Sequence, residues 1–317
     1  MIRRLGVPVG LFSTVAFLRE ELLRTYPGAK LNPVNRVFSE DETVAFLQDC
    51  DAAIIGMEPI NERVLSRLPA LKVIGKFGVG CESIDFNALI RHGIRFGYRP
   101  GVNRLAVAEL ALCFAIAALR GVSAVNAAMR SGERPRQNLG RLLTGRVVGI
   151  HGCGHIGKEL IRLLKPFGCT VLACDIRDIS DFCAEHGVMP VSFDELLARS
   201  EVLSLHLPLT RLTRQMYDAA TLARLRPDCV LINTCRGAIV DEAALRERLK
   251  GGQLLAACFD VFAIEPAVDD ELLRLPNFLA TPHIGASAVE ARLWMGQAAI
   301  NGLTVNALVQ PGQFDDV

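Results

Sequence analysis

The sequence predicts an α/β protein built from two doubly wound parallel sheets, one domain inserted into the other. Three observations carry this. Short apolar runs alternate with helix-like segments along most of the chain. One such run, Val147-Val148-Gly149-Ile150, passes through Gly152-Cys153-Gly154-His155-Ile156-Gly157 into a helical segment and a second apolar run, Thr170 to Cys174. A last helical stretch, Ser287 to Val309, has no strand after it and comes too late for the second sheet, so it is expected to return to the first.

Composition narrows the class. A chain of 317 residues, half of them hydrophobic, suits two domains of about 100 to 200 residues each. The 35 Lys+Arg against 34 Asp+Glu leave a net charge of +1, which offers nucleic acid no broad attraction. Ten scattered cysteines form no CxxC pair and suggest neither a metal site nor a disulfide frame. Six of them, Cys113, Cys153, Cys169, Cys174, Cys229 and Cys258, lie in or beside apolar runs and are expected to fill cores as reduced thiols in a cytosolic protein. The N-terminal MIRRLGVPVGLF is too short in apolar residues for a signal peptide. The segment Leu105 to Leu119 is interrupted by Glu109 and falls short of the roughly 20 residues that a membrane span needs. A soluble, cytoplasmic protein is expected, with no membrane or nucleic-acid partner.

In order, Ala52 to Gly56, Leu71 to Lys76 and Ile94 to Phe96 are expected strands, and Phe12 to Tyr26, Glu40 to Cys50, Asn61 to Leu68 and Ile84 to His92 expected helices. They make a first domain over residues 1–98, completed by 287–317. Pro100 and Gly101 mark a break, and Asn103 can cap the apolar helix Leu105 to Leu119. Being apolar nearly all round, that helix is expected to be buried between domains or subunits. The polar stretch Arg130 to Leu143 is expected to be a loop or arm. The second domain, 99–286, then adds strands at Val147 to Ile150, Thr170 to Cys174, Val202 to Leu205, Cys229 to Asn233, Leu255 to Phe259 and Phe278 to Ala280, about six in one sheet.

The glycine loop has a specific physical reading. Gly152 permits a sharp turn, Gly154 lets backbone approach a pyrophosphate, and Gly157 lets the helix pack close to the strand. Asp175 follows Gly157 by 18 positions, close to the spacing of about 20 for a carboxylate that binds a ribose diol. A dinucleotide site follows.

Ligands of such sheets sit beyond the strands' carboxyl ends. There the sequence supplies Thr234-Cys235-Arg236, then Asp260 with Glu265-Pro266, then Thr281-Pro282-His283-Ile284-Gly285. Arginine can hold a carboxylate or keto oxygen through its planar fork. Histidine can exchange the proton of a 2-hydroxy group, oriented by a neighbouring carboxylate. Arg236, Glu265 and His283 therefore suit hydride transfer beside a carboxylate. His206 is expected to flank the cofactor, and His92, His151 and His186 are read as structural.

These motifs together resemble the D-isomer-specific 2-hydroxyacid dehydrogenase family over nearly the whole chain: GCGHIG with Asp175, HLPLTRLT, INTCRGAIVDEAAL, FDVFAIEP and TPHIGAS, in that order. The resemblance implies a Rossmann NAD-binding domain inserted into a flavodoxin-like substrate domain, and a small anionic 2-hydroxy or 2-keto acid as substrate. It implies substrate binding by Arg236, acid/base work by His283 and support from Glu265. His155 and Ile156 would line the pyrophosphate, Asp175 would hold the adenosine ribose, and Pro208, Thr213, Thr234, Cys235, Asp260 and Gly285 would border the cofactor. Backbone N–H groups of Gly78-Val79-Gly80 would hold the substrate carboxylate, with Lys76 and Asn103 facing the substrate.

NAD is expected over NADP because Asp175 would repel a 2′-phosphate, a preference that Arg177 could soften. Cys81-Glu82-Ser83 and Arg104 depart from the family's commoner pattern, so the acid stays open; Lys76, Arg104 and Arg236 could make the cleft cationic, as for 3-phosphoglycerate, while glyoxylate or hydroxypyruvate is the other expectation. The chain stops at Val317, so no appended regulatory domain is expected. A homodimer through the nucleotide domain is implied. Formate or phosphite oxidation, and NAD(H) sensing without turnover as in corepressor relatives, are the alternatives.

Overall fold

The computed structural model describes residues 2–133, 139–267 and 271–314. The chain divides into two compact units, one of residues 1–103 with 287–317 and one of residues 104–286.

The first unit begins with β1 (Leu5–Val7), α1 (Leu11–Thr14), α2 (Ala16–Thr25), β2 (Lys30–Leu31), α3 (Glu40–Leu47), β3 (Ala52–Ile55), α4 (Glu62–Leu65), β4 (Val73–Lys76), α5 (Phe86–Arg91) and β5 (Arg95–Gly97). The expected helix Phe12 to Tyr26 is two helices, because Val15 is extended at φ −105 and ψ 109. Local chemistry sets several starts: Ser39 and Glu42 form a reciprocal capping box on α3, and Asp85 accepts from the Ala88 N–H on α5. β1 and β2 have three and two residues, too short to stand out as apolar runs.

The second unit runs α6 (Arg104–Leu119), α7 (Val122–Arg130), β6 (Val147–His151), α8 (His155–Leu164), β7 (Thr170–Cys174), α9 (Ser180–His186), β8 (Met189–Pro190), α10 (Phe193–Arg199), β9 (Val202–Leu205), α11 (Ala219–Ala223), β10 (Val230–Asn233), α12 (Glu242–Lys250), β11 (Ala256–Phe259), α13 (Glu271–Arg274) and β12 (Phe278–Ala280). Its sheet has seven strands in the order β12-β11-β10-β9-β6-β7-β8, all parallel. The short β8 is the strand beyond the six expected. Two apolar layers cover the sheet, one built on α6 and α8, the other on α10, α11 and α12. Part of the expected arm, residues 134–138, lies outside the described residues, and its first residue, Arg130, ends α7.

The chain then returns to the first unit as α14 (Val289–Gly302) and β13 (Ala307–Leu308). The helical stretch expected over Ser287 to Val309 ends as a helix at Gly302, and β13 lies within its last residues, where it pairs antiparallel with β5. Its two residues are exposed, so no apolar run announces it. The six-stranded sheet has the order β13-β5-β4-β3-β1-β2, parallel apart from β13. α14 lies close on it because Gly75 and Gly97 carry no side chain; a Cβ at either would collide with the carbonyl of Ala299 or Gly302.

Within the single chain helix α6 is covered on part of its surface. Ala108, Ala111, Phe114, Ala115 and Leu119 enter the core, while Ile116 stays exposed. Cys113, expected to fill the core, is also exposed. Among the described residues no single helix is long and apolar enough to cross a membrane, and no group of three or more His, Cys, Asp or Glu is placed to hold a metal ion.

Candidate active site

The nucleotide edge of the second unit is shaped by three glycines in different ways. At Gly152, where φ is 93, a Cβ would strike the His206 carbonyl, and at Gly157 it would strike the Gly152 carbonyl. Both glycines serve the protein's own packing. At Gly154 the nearest atom is Arg177 Nη2 at 3.5 Å, so the space there is open to a ligand. Helix α8 starts immediately after, capped by Gly154 with no side-chain bond, which leaves first-turn N–H groups and the positive dipole end for an anion.

Asp175 anchors this loop. Its Oδ2 accepts from the Cys153 N–H at 2.7 Å, and its Oδ1 accepts from the Arg177 N–H at 2.9 Å and from Arg177 Nε at 3.4 Å. Burial pushes its pKa up, but the Arg177 bonds, the Cys153 N–H and the Arg177 charge together bring it below the usual value. It is therefore a carboxylate, as ribose binding requires. His155 titrates below its ordinary value, first through burial and then through the charges of Arg104, Arg177 and Lys158. The same three cations favour a pyrophosphate. Ile156 packs on the core beneath.

The ends of β9 and β10 add polar groups that the protein does not satisfy. Thr234 Oγ1 and His206 Nδ1 are buried with no partner among the described residues, and Cys235 is buried beside Thr234. Thr213 Oγ1 donates to the Pro208 carbonyl at 2.6 Å and accepts from the Thr210 N–H at 2.8 Å, closing the loop after β9. Open space at Gly154, an ionised Asp175 and these orphaned atoms fit a bound dinucleotide.

Beyond the neighbouring strands β10, β11 and β12 stand the three residues expected to do chemistry. Glu265 Oε2 lies 2.7 Å from His283 Nδ1, and Glu265 Oε1 accepts from the Phe262 N–H at 3.0 Å. Both side chains reach solvent. His283 has φ 54, one of two non-glycine residues with positive φ among the described residues, an uncommon conformation that neighbouring hydrogen bonds help to hold. Asp260 supplies them. Its carbonyl accepts from the His283 N–H at 2.8 Å, and its buried carboxylate accepts from Thr281 Oγ1, the Ile284 N–H at 2.7 Å and the Gly285 N–H at 2.7 Å. Asp260 and Gly285, expected beside the cofactor, are thus bonded to each other under the histidine turn.

Arg236 leaves β10 on a turn held by Asn233, whose side chain donates to the Arg236 carbonyl and accepts from the Cys235 N–H, both at 3.1 Å. Its Nη1 donates to the Cys235 carbonyl at 2.6 Å. Asn233 was visible in sequence only as a polar residue ending an apolar strand. His151, read as structural, is so: it is buried against Tyr217, Nδ1 to OH 2.6 Å. Burial pushes its pKa down to about 4 despite Asp175.

In the first unit, the loop after β4 carries Gly78, at φ 88, with Val79 and Gly80. Lys76, at the end of β4, is 2% exposed and donates to the carbonyls of Gly56 at 2.9 Å and Phe77 at 2.8 Å. Glu58, unremarked in sequence, is buried near it and accepts from the Gly56 N–H at 2.8 Å; burial raises its pKa against that bond and the Lys76 charge. Tyr98 donates to the Val79 carbonyl at 3.0 Å. Asn103 is buried, and its Oδ1 has no partner among the described residues. Arg104, in the second unit, pairs with Glu159 at 3.0 Å.

Residues 112–285 match the model of the D-isomer specific 2-hydroxyacid dehydrogenase NAD-binding domain. The chain belongs to the D-isomer specific 2-hydroxyacid dehydrogenase family. Its α/β fold and its NAD-binding domain are those of the family. It is similar to D-3-phosphoglycerate dehydrogenase of Mycobacterium tuberculosis, 35% identical over 254 residues that cover 80% of this chain and 48% of that protein. The chain thus spans about half the length of the curated phosphoglycerate dehydrogenases it matches. It is also similar to glyoxylate reductase of Thermococcus litoralis, 35% identical over 81% of this chain and 80% of that one. A putative family member from Polaromonas sp. JS6 66 superposes with a TM-score of 0.87 at 30% identity, covering 96% of both chains.

Proposed function

We propose that this chain is an NAD-dependent oxidoreductase that interconverts a D-2-hydroxy acid and its 2-keto acid. The observation that carries the reading is the 2.7 Å bond between Glu265 and His283 on the sheet edge that also bears the glycine loop and Asp175. A bound nicotinamide cofactor supplies the hydride acceptor or donor for C2. With Nδ1 engaged by Glu265, the Nε2 of His283 takes the hydroxyl proton in oxidation and returns it to the keto oxygen in reduction. Arg236 holds the substrate's carboxylate or keto oxygen through its guanidinium, and the loop Gly78-Val79-Gly80 receives the carboxylate on backbone N–H groups.

A small unphosphorylated keto acid such as glyoxylate or hydroxypyruvate is the favoured substrate. Of the three cations behind the case for 3-phosphoglycerate, Lys76, Arg104 and Arg236, Lys76 is buried on carbonyls and Arg104 is paired with Glu159, which leaves Arg236 for the carboxylate or keto oxygen. Asp175 favours NAD over NADP. The test is NADH consumption with a panel of 2-keto acids. Binding of NADH with no turnover of any would replace this reading by a sensor.

Assembly as a homodimer through the second unit is part of the proposal. The exposed Ile116 on α6 and Val122 and Met129 on α7, with Leu139 and Leu142 after them, support it, as apolar side chains that a partner subunit would cover. Light scattering at micromolar concentration checks it. The free thiols, Cys113 among them exposed, support a reducing cytoplasmic setting.

A further inference from the structure

The loop after β4 is held by its carbonyls. Lys76 Nζ donates to the Phe77 carbonyl at 2.8 Å and Tyr98 OH to the Val79 carbonyl at 3.0 Å. In a trans peptide the carbonyl and the following N–H point in opposite directions, and among the described residues only Glu265-Pro266 is cis. Pulling the Phe77 and Val79 carbonyls toward Lys76 and Tyr98 therefore turns the N–H groups of Gly78 and Gly80 the other way. Among the described residues neither of those N–H groups donates a hydrogen bond.

Tyr98 is itself braced. Its ring lies 5.8 Å from Phe96 and 5.9 Å from Phe314, and Phe314 stacks on Phe86 with centroids 4.1 Å apart and planes 6° from parallel. Phe314 belongs to the tail beyond β13, more than 200 positions after the tyrosine it supports. The tail thus fixes where the phenol stands, and the phenol, a closer donor than Cys81 Sγ at 3.7 Å, holds the Val79 carbonyl.

We propose that Tyr98, braced by the C-terminal Phe314, is a positioning residue that aims the Gly80 N–H at the carboxylate of the substrate. Lys76 does the same for Gly78, so its part is to orient the loop and not to hold a second anionic group. The inference rests on the proposed reaction, in which that loop receives the carboxylate. Hydrogen bonds to backbone act here on substrate affinity and leave the proton and hydride steps alone.

The decisive experiment is steady-state kinetics of Tyr98→Phe with NADH and the best 2-keto acid of the panel. This change removes one oxygen and keeps the ring. KM for the keto acid should rise about fivefold to tenfold, the scale of one hydrogen bond to an anion-binding loop, with kcat, the Kd for NADH and Tm unchanged. Phe314→Ala, which removes the ring beside Tyr98, should raise KM in the same direction by less. An unchanged KM in Tyr98→Phe, in an enzyme that turns over normally, overturns the inference and leaves the reaction standing. A joint loss of kcat, NADH binding and Tm overturns it too, since that marks a merely structural residue. Absence of turnover by the unaltered protein with every 2-keto acid overturns the reaction and this inference with it.

Discussion

His283 meets Glu265 at 2.7 Å while its own backbone sits at φ 54, a left-handed conformation uncommon for a residue other than glycine. Asp260 helps to hold it, accepting from the His283 N–H and from the N–H groups of the next two residues. The imidazole is therefore aimed by hydrogen bonds to its backbone as well as by its carboxylate partner.

Replacing His283 by Ala should lower kcat by about 10² to 10⁴, the usual range for a positioned acid/base. Cofactor binding, followed by NADH fluorescence, should persist. A near-normal rate in this variant would remove the histidine from its role.

Asp260→Ala should cost stability and activity together. Three donors lose a buried acceptor, and each unsatisfied buried group costs about 1–3 kcal/mol, so the denaturant midpoint should fall clearly. The His283 turn should relax, lowering kcat even in the folded variant. A variant with unaltered midpoint and rate would show that the turn holds itself.

The proposed preference for NAD rests on Asp175, which is ionised and bonded to the glycine loop. kcat/KM with NAD should exceed that with NADP at least tenfold, about 1.4 kcal/mol. Asp175→Ser should narrow the gap. Comparable values for both cofactors in the unaltered enzyme would mean that Arg177 outweighs the carboxylate.

The buried histidines make stability depend on pH. Burial lowers His151 to about 4 and His206 to about 3, the latter also through His151. Their unfolded-state values lie near 6.5. Below that value the unfolded chain binds protons that the folded chain refuses, so stability is complete above about pH 6.5 and is lost as pH falls toward the folded values. Each such histidine contributes a slope of about 1.4 kcal/mol per pH unit within that window. Denaturation of His151→Gln between pH 4.5 and 7 should show a shallower slope than the unaltered protein. An identical slope would assign the loss to other groups.

How much of this was legible in advance depends on distance along the chain. The glycine loop, Asp175 and the strand ends that carry Arg236, Glu265 and His283 could be read directly, because turn geometry, helix period and strand alternation are local and leave a pattern within some 30 residues. The α/β class follows from the same alternation. β1, β2, β8 and β13 could not be read: each has two or three residues, and only pairing with a distant neighbour makes it a strand.

Side-chain partners were the larger gap. The sequence did not show that the Lys76 ammonium donates to the carbonyls of Gly56 and Phe77. Nor did it show that the oxygens of Asp260 hold Thr281, Ile284 and Gly285. Tyr98 and Phe314 gave no signal at all. The sequence by itself determined which chemical groups are present and which strand ends carry them. Only the tertiary structure decided which buried donor meets which acceptor, because a desolvated polar group takes whatever partner the packing brings to it.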